Sequence, residues 1–100
     1  FIGGGTPSLF SPAAIEALLA MIRARLRLVP EAEITLEANP GSFETGRFAG
    51  FARAGVTRLS IGVQSFDDGL LRAIGRVHDA AQAHAAVQEA SRHFATFNIF

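Results

Sequence analysis

The sequence predicts an α/β protein made of parallel (β/α) repeats, forming part of a (β/α) barrel. Four strand-like apolar segments alternate with helical patterns, roughly 30 residues apart, as in βαβ units. Each segment has one apolar face and one polar or small face. A doubly wound sheet, covered by helices on both sides, favours apolar residues on both faces, whereas a barrel accepts polar residues toward its lumen. The one-sided pattern therefore favours the barrel.

Composition argues against a nucleic-acid or membrane protein. Of the 100 residues, 49% are hydrophobic, and nine Lys and Arg balance nine Asp and Glu. A neutral chain without a basic cluster lacks the charge pattern of nucleic-acid binding. Cysteine is absent, which excludes disulfides and thiolate-held metals within these residues. No apolar run approaches the ~20 residues of a membrane span and no signal peptide is present, so we expect a cytoplasmic protein.

The two ends of the chain predict that residues 1–100 are part of one domain, incomplete at both ends. The chain lacks an initiator Met, and it starts and finishes inside strand-like segments, Phe1-Ile2 and residues 97–100. A domain more often ends in a polar loop.

The first strand-like segment leads into a glycine loop, Gly3-Gly4-Gly5-Thr6-Pro7-Ser8. Three residues without a Cβ let a ligand approach the main chain closely. The alternative is a tight turn between a strand and a helix. Ser11 followed by Pro12 then predicts a helix start. The helix has an apolar stripe made of Ile15, Leu18, Leu19, Ile22 and Leu26.

The second strand is predicted over residues 33–38. Ile34, Leu36 and Ala38 share one face, so Glu37 lies on the other face at the carboxyl end of the strand. A helix over 44–54 follows, with inward-facing Phe48, Phe51 and Ala52, and Gly55 is its expected stop.

The third strand, over residues 58–64, repeats this design. Its polar face ends with Gln64, again at the carboxyl end. A short helix reaches Gly75, and Asp79 begins a longer helix with a capping box. A last strand is predicted over 96–100, with Asn98 in the polar register.

These strand ends predict a small-molecule site, because barrels place their chemistry at the carboxyl ends of strands. The glycine loop, Glu37 and Gln64 fall there, and Arg76 is positioned to return to the rim and bind a carboxylate. Such groups suit a polar, zwitterionic ligand. Two alternative interpretations involve no ligand. In the first, Glu37 and Gln64 fill the lumen and bond only to each other; in the second, Arg76 is an ordinary surface arginine. Metal binding is not indicated, because the three histidines lack ligand spacing: His78, His84 and His93.

Four segments, in this order and spacing, resemble the radical S-adenosylmethionine (SAM) proteins of the oxygen-independent coproporphyrinogen III oxidase group. Within that group, the Gly-Val-Gln-Ser-Phe and Gly-Arg-x-His patterns look like the HemW-type heme chaperone branch. The segments are Gly3-Gly4-Gly5-Thr6-Pro7-Ser8, Glu37-Ala38-Asn39-Pro40, Arg58-Leu59-Ser60-Ile61-Gly62-Val63-Gln64-Ser65-Phe66 and Ile74-Gly75-Arg76-Val77-His78.

The resemblance implies a partial (β/α)6 barrel, of which these residues form about the second strand to the start of the fifth. It implies SAM bound to a [4Fe-4S] cluster whose three cysteines lie upstream of Phe1. It also implies that an aspartate following the fifth strand lies beyond Phe100. By this likeness, Gly4, Gly5 and Thr6 contact the methionine moiety. The rest of the cofactor would be held by Glu37, Gln64 and Arg76.

The function implied by the resemblance is heme handling. The full protein would bind the cluster, SAM and heme, and would pass heme to an acceptor protein. One alternative is an enzyme, the oxygen-independent oxidase that decarboxylates coproporphyrinogen III in porphyrin biosynthesis. A more distant alternative is a phosphate-binding (β/α)8 barrel enzyme with residues 3–6 as its phosphate loop.

Overall fold

The computed structural model describes residues 1–100 and contains a parallel three-stranded sheet. Its strands are β1 (Thr35–Ala38), β2 (Arg58–Ile61) and β3 (Thr96–Ile99), in the order β1-β2-β3. The Phe1-Ile2 segment adds only one parallel bridge, from Ile2 to Leu36 on the free side of β1. All four predicted strands therefore run in one direction, although the first is reduced to a bridge.

Five α-helices and one 3₁₀ turn connect the strands. The turn is Pro7–Leu9, and the helices are α1 (Pro12–Arg25), α2 (Ser42–Thr45), α3 (Phe48–Ala54), α4 (Asp68–Ala73) and α5 (Ala80–His93). None of the helices is both long and apolar enough to cross a membrane.

Local sequence signals account for several helix ends. Ser11 Oγ accepts a hydrogen bond from the Ala14 N–H at 3.1 Å, which caps α1 as predicted. The capping box of α5 is also confirmed, because Asp79 and Gln82 each accept from the other's backbone N–H, at 2.8 and 2.9 Å. Gly55 ends α3 with a left-handed φ of 117°.

Two further differences from the sequence prediction concern the ends of elements. The helix predicted over 44–54 is split into α2 and α3, because the Arg47 N–H bonds to the Glu44 carbonyl in a tighter i−3 pattern beside Gly46. The strand predicted over 58–64 ends at Ile61, because the Val63 N–H turns back to the Ile61 carbonyl at 3.0 Å. The strand end and Gln64 are therefore separated by a turn.

The helices pack on the apolar face of the sheet and form one core. This core joins Leu36, Leu59 and Ile61 of the strands, which are fully buried, with Phe48 and Phe51 of α3. The one-sided packing predicted for a barrel is confirmed. The predicted stripe of α1 is only partly buried: Ile15 and Leu19 belong to the core, whereas the exposed members are Leu18 and Leu26.

The opposite face of the sheet is polar. Glu37, Ser60 and Asn98 occupy one register row across β1, β2 and β3. Asn98 Nδ2 donates to Ser60 Oγ at 3.1 Å, and Arg58 Nε donates to Asn98 Oδ1 at 3.3 Å. This row leads to the carboxyl edge of the sheet, where the glycine loop lies.

Candidate functional site

A polar cleft of about 230 Å³ lies at the carboxyl ends of the strands. It is where the sequence predicted a site, since βα loops meet at this edge. The cleft brings together residues from the glycine loop, from the ends of β1 and β2, and from the loop after α4. Its lining consists of Gly5, Thr6, Pro7, Glu37, Ala38, Asn39, Gly62, Arg76 and Phe100.

The glycine loop borders this cleft through Gly5, Thr6 and Pro7, whereas Gly4 lies beside the cleft and is not part of its lining. Gly4 and Gly5 have φ angles of 85° and 61°, which side-chain-bearing residues rarely adopt. A Cβ at either position would meet no atom within 4 Å, so the space beside the backbone is open. The Gly4 N–H donates to Glu37 Oε2 at 3.3 Å. The loop and the β1 carboxylate therefore form one polar surface.

Gly3 allows this contact, because it has no side chain to crowd the Glu37 carboxylate. A Cβ at Gly3 would lie 3.0 Å from Glu37 Oε2 and would collide with the Phe1 ring. The buried Ser8 anchors the other end of the loop, since its Oγ accepts from the Asn39 N–H at 3.3 Å. The loop is thus tied to β1 on both sides.

Arg76 reaches the cleft from the loop after α4. Gly75, with a φ of 77°, turns the chain, and the Arg76 N–H bonds to the Leu71 carbonyl at 2.9 Å. The guanidinium then donates from Nη2 to the Gly62 carbonyl at 2.7 Å. A Cβ at Gly62 would lie 3.1 Å from that nitrogen, so the small residue leaves room for the arginine.

The cleft holds one negative and one positive side chain that do not pair with each other. Glu37 and Arg76 both line it, and neither takes part in an ion pair of the structure. Arg76 uses one of its five N–H donors on Gly62, and Glu37 accepts only from Gly4. The remaining hydrogen-bonding capacity suits a ligand that carries both an ammonium group and a carboxylate.

Gln64 is not in this cleft. It is exposed, has a φ of 68°, and lies in an adjoining apolar cleft of about 170 Å³ with Val63, Phe66 and Ile99. Phe100 lines both clefts. The alternative in which Glu37 and Gln64 bond to each other is therefore not the arrangement seen.

The three histidines take separate places. His78 is buried and its Nε2 lies 3.0 Å from the Val63 carbonyl oxygen. The His84 ring packs on Phe66, with 4.5 Å between ring centroids. His93 Nε2 lies 2.7 Å from Glu89 Oε1, and this hydrogen bond, helped by Arg92, lowers the pKa of Glu89. No group of three or more His, Cys, Asp or Glu residues is arranged to hold a metal ion.

Among the contributors to the cleft that sequence reasoning missed are Asn39, Gly62 and Phe100. Strand parity is the signal that could have found them. They continue the polar row two residues beyond Glu37, Ser60 and Asn98, so the same alternation places them on the inner face.

Comparison with known proteins relates the chain and its fold to one superfamily. The model of the Radical SAM superfamily matches residues 1–100. The chain is 55% identical over 91 residues to the heme chaperone HemW of Escherichia coli (strain K12), which covers 91% of this chain and 24% of that protein. It is 49% identical over 94 residues to the bovine protein named radical S-adenosyl methionine domain-containing protein 1, mitochondrial, covering 94% and 21%.

A solved structure agrees with these relatives. The coproporphyrinogen III oxidase HemN from Escherichia coli, described as a radical SAM enzyme, superposes with a TM-score of 0.84 and 32% sequence identity, over 97% of this chain and 23% of that one. The chain thus spans about a quarter of the length of the proteins it matches. These matches confirm the predicted resemblance and the predicted α/β fold: the chain belongs to the radical SAM superfamily.

Proposed function

We propose that the complete protein is a HemW-like heme chaperone and that these residues form the cofactor-binding part of its radical SAM domain. The observation that carries this proposal is the 55% identity over 91 residues to the heme chaperone HemW of Escherichia coli. The identity to the oxidase HemN, at 32%, is lower.

The cleft fits the amino-acid end of SAM. This end carries an ammonium and a carboxylate, and the cleft offers the Glu37 carboxylate, the Arg76 guanidinium and the open backbone of Gly5, with Gly4 next to it in the loop. Its volume is below the roughly 300–1,000 Å³ of a typical pocket for a whole drug-sized ligand, which suits one end of an extended cofactor.

In this proposal Gly4, Gly5 and Thr6 contact the methionine moiety. Glu37 accepts from an ammonium or hydroxyl group, and Arg76 donates to a carboxylate. Gln64 holds the nucleoside part from the adjoining cleft, because its side-chain amide both donates and accepts hydrogen bonds. The apolar wall of that cleft suits a purine ring. When bound, SAM supplies a sulfonium that a reduced iron–sulfur cluster can cleave, and the protein orients it.

These residues do not fit the cluster itself, since cysteine is absent and no other metal-ligand group is present. We place the cysteine ligands of the [4Fe-4S] cluster elsewhere in the protein. Heme binding, and transfer of heme to an acceptor protein in the cytoplasm, are likewise assigned to the complete protein.

A second candidate is oxygen-independent coproporphyrinogen III oxidation. It is favoured by the TM-score of 0.84 to the HemN structure. Both candidates use the same cofactor cleft, so the difference between them lies in the molecule that the complete protein handles.

The test is anaerobic reconstitution of the complete protein with iron and sulfide. We expect an iron–sulfur absorption band that changes when SAM is added, followed by heme binding and transfer without turnover of coproporphyrinogen III. Turnover of coproporphyrinogen III would select the oxidase. A protein that forms no cluster and binds no SAM would overturn both candidates.

A further inference from the structure

We infer that His78 is a positioning residue for the cofactor site: its Nε2–H holds the Val63 carbonyl and thereby fixes the turn that carries Gln64. This inference rests on the proposed function, because it assumes that Gln64 contacts SAM. It concerns a buried histidine that makes no contact with the polar cleft.

The hydrogen bond of His78 has a defined direction. Its Nε2 lies 3.0 Å from the Val63 carbonyl oxygen, and a carbonyl oxygen can only accept, so Nε2 carries the proton. His78 is 5% exposed and Val63 is 2% exposed. Water has little access to this bond, so removing the donor removes a buried interaction that solvent does not replace.

The turn that accepts this bond is under backbone strain. Gln64 is the only residue other than glycine with a positive φ, at 68°. Such a conformation persists only where neighbouring contacts hold it. The backbone contributes two of them: the Gln64 N–H donates to the Phe100 carbonyl at 2.6 Å, and the Ser65 N–H donates to the Val63 carbonyl at 2.8 Å.

Side chains from one loop supply the remaining contacts. The carbonyls of Gly62 and Val63 are consecutive, and they accept from Arg76 Nη2 and His78 Nε2 respectively. Arg76 and His78 are two residues apart on the loop between α4 and α5. Through this pairing the loop fixes both the arginine of the polar cleft and the turn that places Gln64 at the apolar cleft.

The experiment uses the complete protein with its cluster reconstituted. Three variants are compared with the wild type: His78→Leu, which removes the donor; His78→Gln, which keeps a side-chain N–H donor; and His93→Leu, a matched control at a histidine of the α5 surface. The readouts are hydrogen exchange of the peptide containing residues 62–65, the dissociation constant for SAM, cluster content and the melting temperature.

We expect His78→Leu to speed exchange over residues 62–65 and to weaken SAM binding about tenfold, with cluster content retained. His78→Gln restores both properties to within about threefold of the wild type, and His93→Leu changes neither. Because His78 acts through Gln64, adding His78→Leu to a Gln64→Ala variant causes no further loss of SAM affinity.

Three outcomes overturn the inference: wild-type exchange and affinity in His78→Leu, a His78→Gln variant as impaired as His78→Leu, or fully additive losses with Gln64→Ala. If His78→Leu has no melting transition, the variant is unfolded and the test rests on His78→Gln. A loss of SAM affinity of more than about threefold relative to the wild type in His78→Gln then contradicts the inference. If the wild type binds no SAM, the proposed function and the role of Gln64 fall together. The exchange result still decides whether His78 holds the turn.

Discussion

The two faces of the sheet differ in what their side chains do. On the outer face, Leu36, Leu59 and Ile61 are fully buried beneath the helices. On the inner face, Glu37, Ser60 and Asn98 form a polar row, and the cleft opens above it. Alternate residues of the same short strands therefore lie in the core or on the polar face that leads to the cleft.

This separation means that substitutions on the two faces have different consequences. Removing an outer-face side chain leaves a cavity in the core, whereas removing an inner-face group takes away a hydrogen-bonding partner from the cleft. Four predictions, made for the complete protein, compare the two faces or the surface beyond them.

The largest effect is expected on the outer side, for Phe51→Ala. Phe51 of α3 is fully buried in the core, so the variant should lose about 3–5 kcal/mol of unfolding free energy, measured by chemical denaturation. Phe43→Ala is the matched control, because Phe43 is 57% exposed and packs under the Arg47 guanidinium; it should lose less than about 1 kcal/mol. Equal losses would contradict the assignment of the core.

On the inner face, Glu37→Gln should weaken SAM binding without unfolding the protein. Loss of a charged acceptor in the cleft corresponds to about 1.5–3 kcal/mol, or about 10- to 100-fold in the dissociation constant. Glu33→Gln is the control. Glu33 precedes the same strand with the same alternation as Glu37, but its carboxylate contacts Thr35 and Arg58 away from the cleft. If titration with SAM gives the same dissociation constant for both variants, Glu37 does not belong to the cofactor site.

A smaller effect is expected for Asn98→Ala, which removes the link between Ser60 and Arg58. Both hydrogen bonds are partly buried, so the variant should lose about 1 kcal/mol of unfolding free energy in a denaturant titration. Thr96→Ala, at the exposed start of the same strand, should lose less. No difference between the two variants would show that the polar row adds nothing to stability.

The smallest effect lies on the surface of α5. The hydrogen bond from His93 lowers the pKa of Glu89, so the charged carboxylate is favoured in the folded protein. Its contribution is present above the usual carboxylate range and is lost as the pH falls through the lowered pKa. The melting temperature should therefore differ between wild type and Glu89→Gln at neutral pH and converge under acid conditions. A constant difference would contradict this linkage.

Local sequence signals were sufficient for much of the fold. Ser11 and the Asp79 capping box marked helix starts, and Gly55 marked a helix end, because each acts through hydrogen bonds or backbone angles within a few residues. Strand alternation was sufficient to place Glu37 on the inner face. The predicted end of β2 was wrong, since no local signal at Gly62 indicates that Val63 turns back.

The location of Gln64 shows the limit of the sequence more clearly. Its strand parity matched that of Glu37, yet the turn after Ile61 moves it to the adjoining cleft. Besides its local backbone bonds, this turn is held by bonds to Phe100, Arg76 and His78, which are 12 or more residues away along the chain.

By itself, the sequence determined the order of strands and helices, their apolar and polar faces, and the family resemblance, because these depend on local periodicity and on short motifs. Only the tertiary structure decided that Arg76 enters the polar cleft and that Gln64 does not. The physical reason is that both positions are set by hydrogen bonds between distant segments, whose partners meet only after the helices have packed on the sheet.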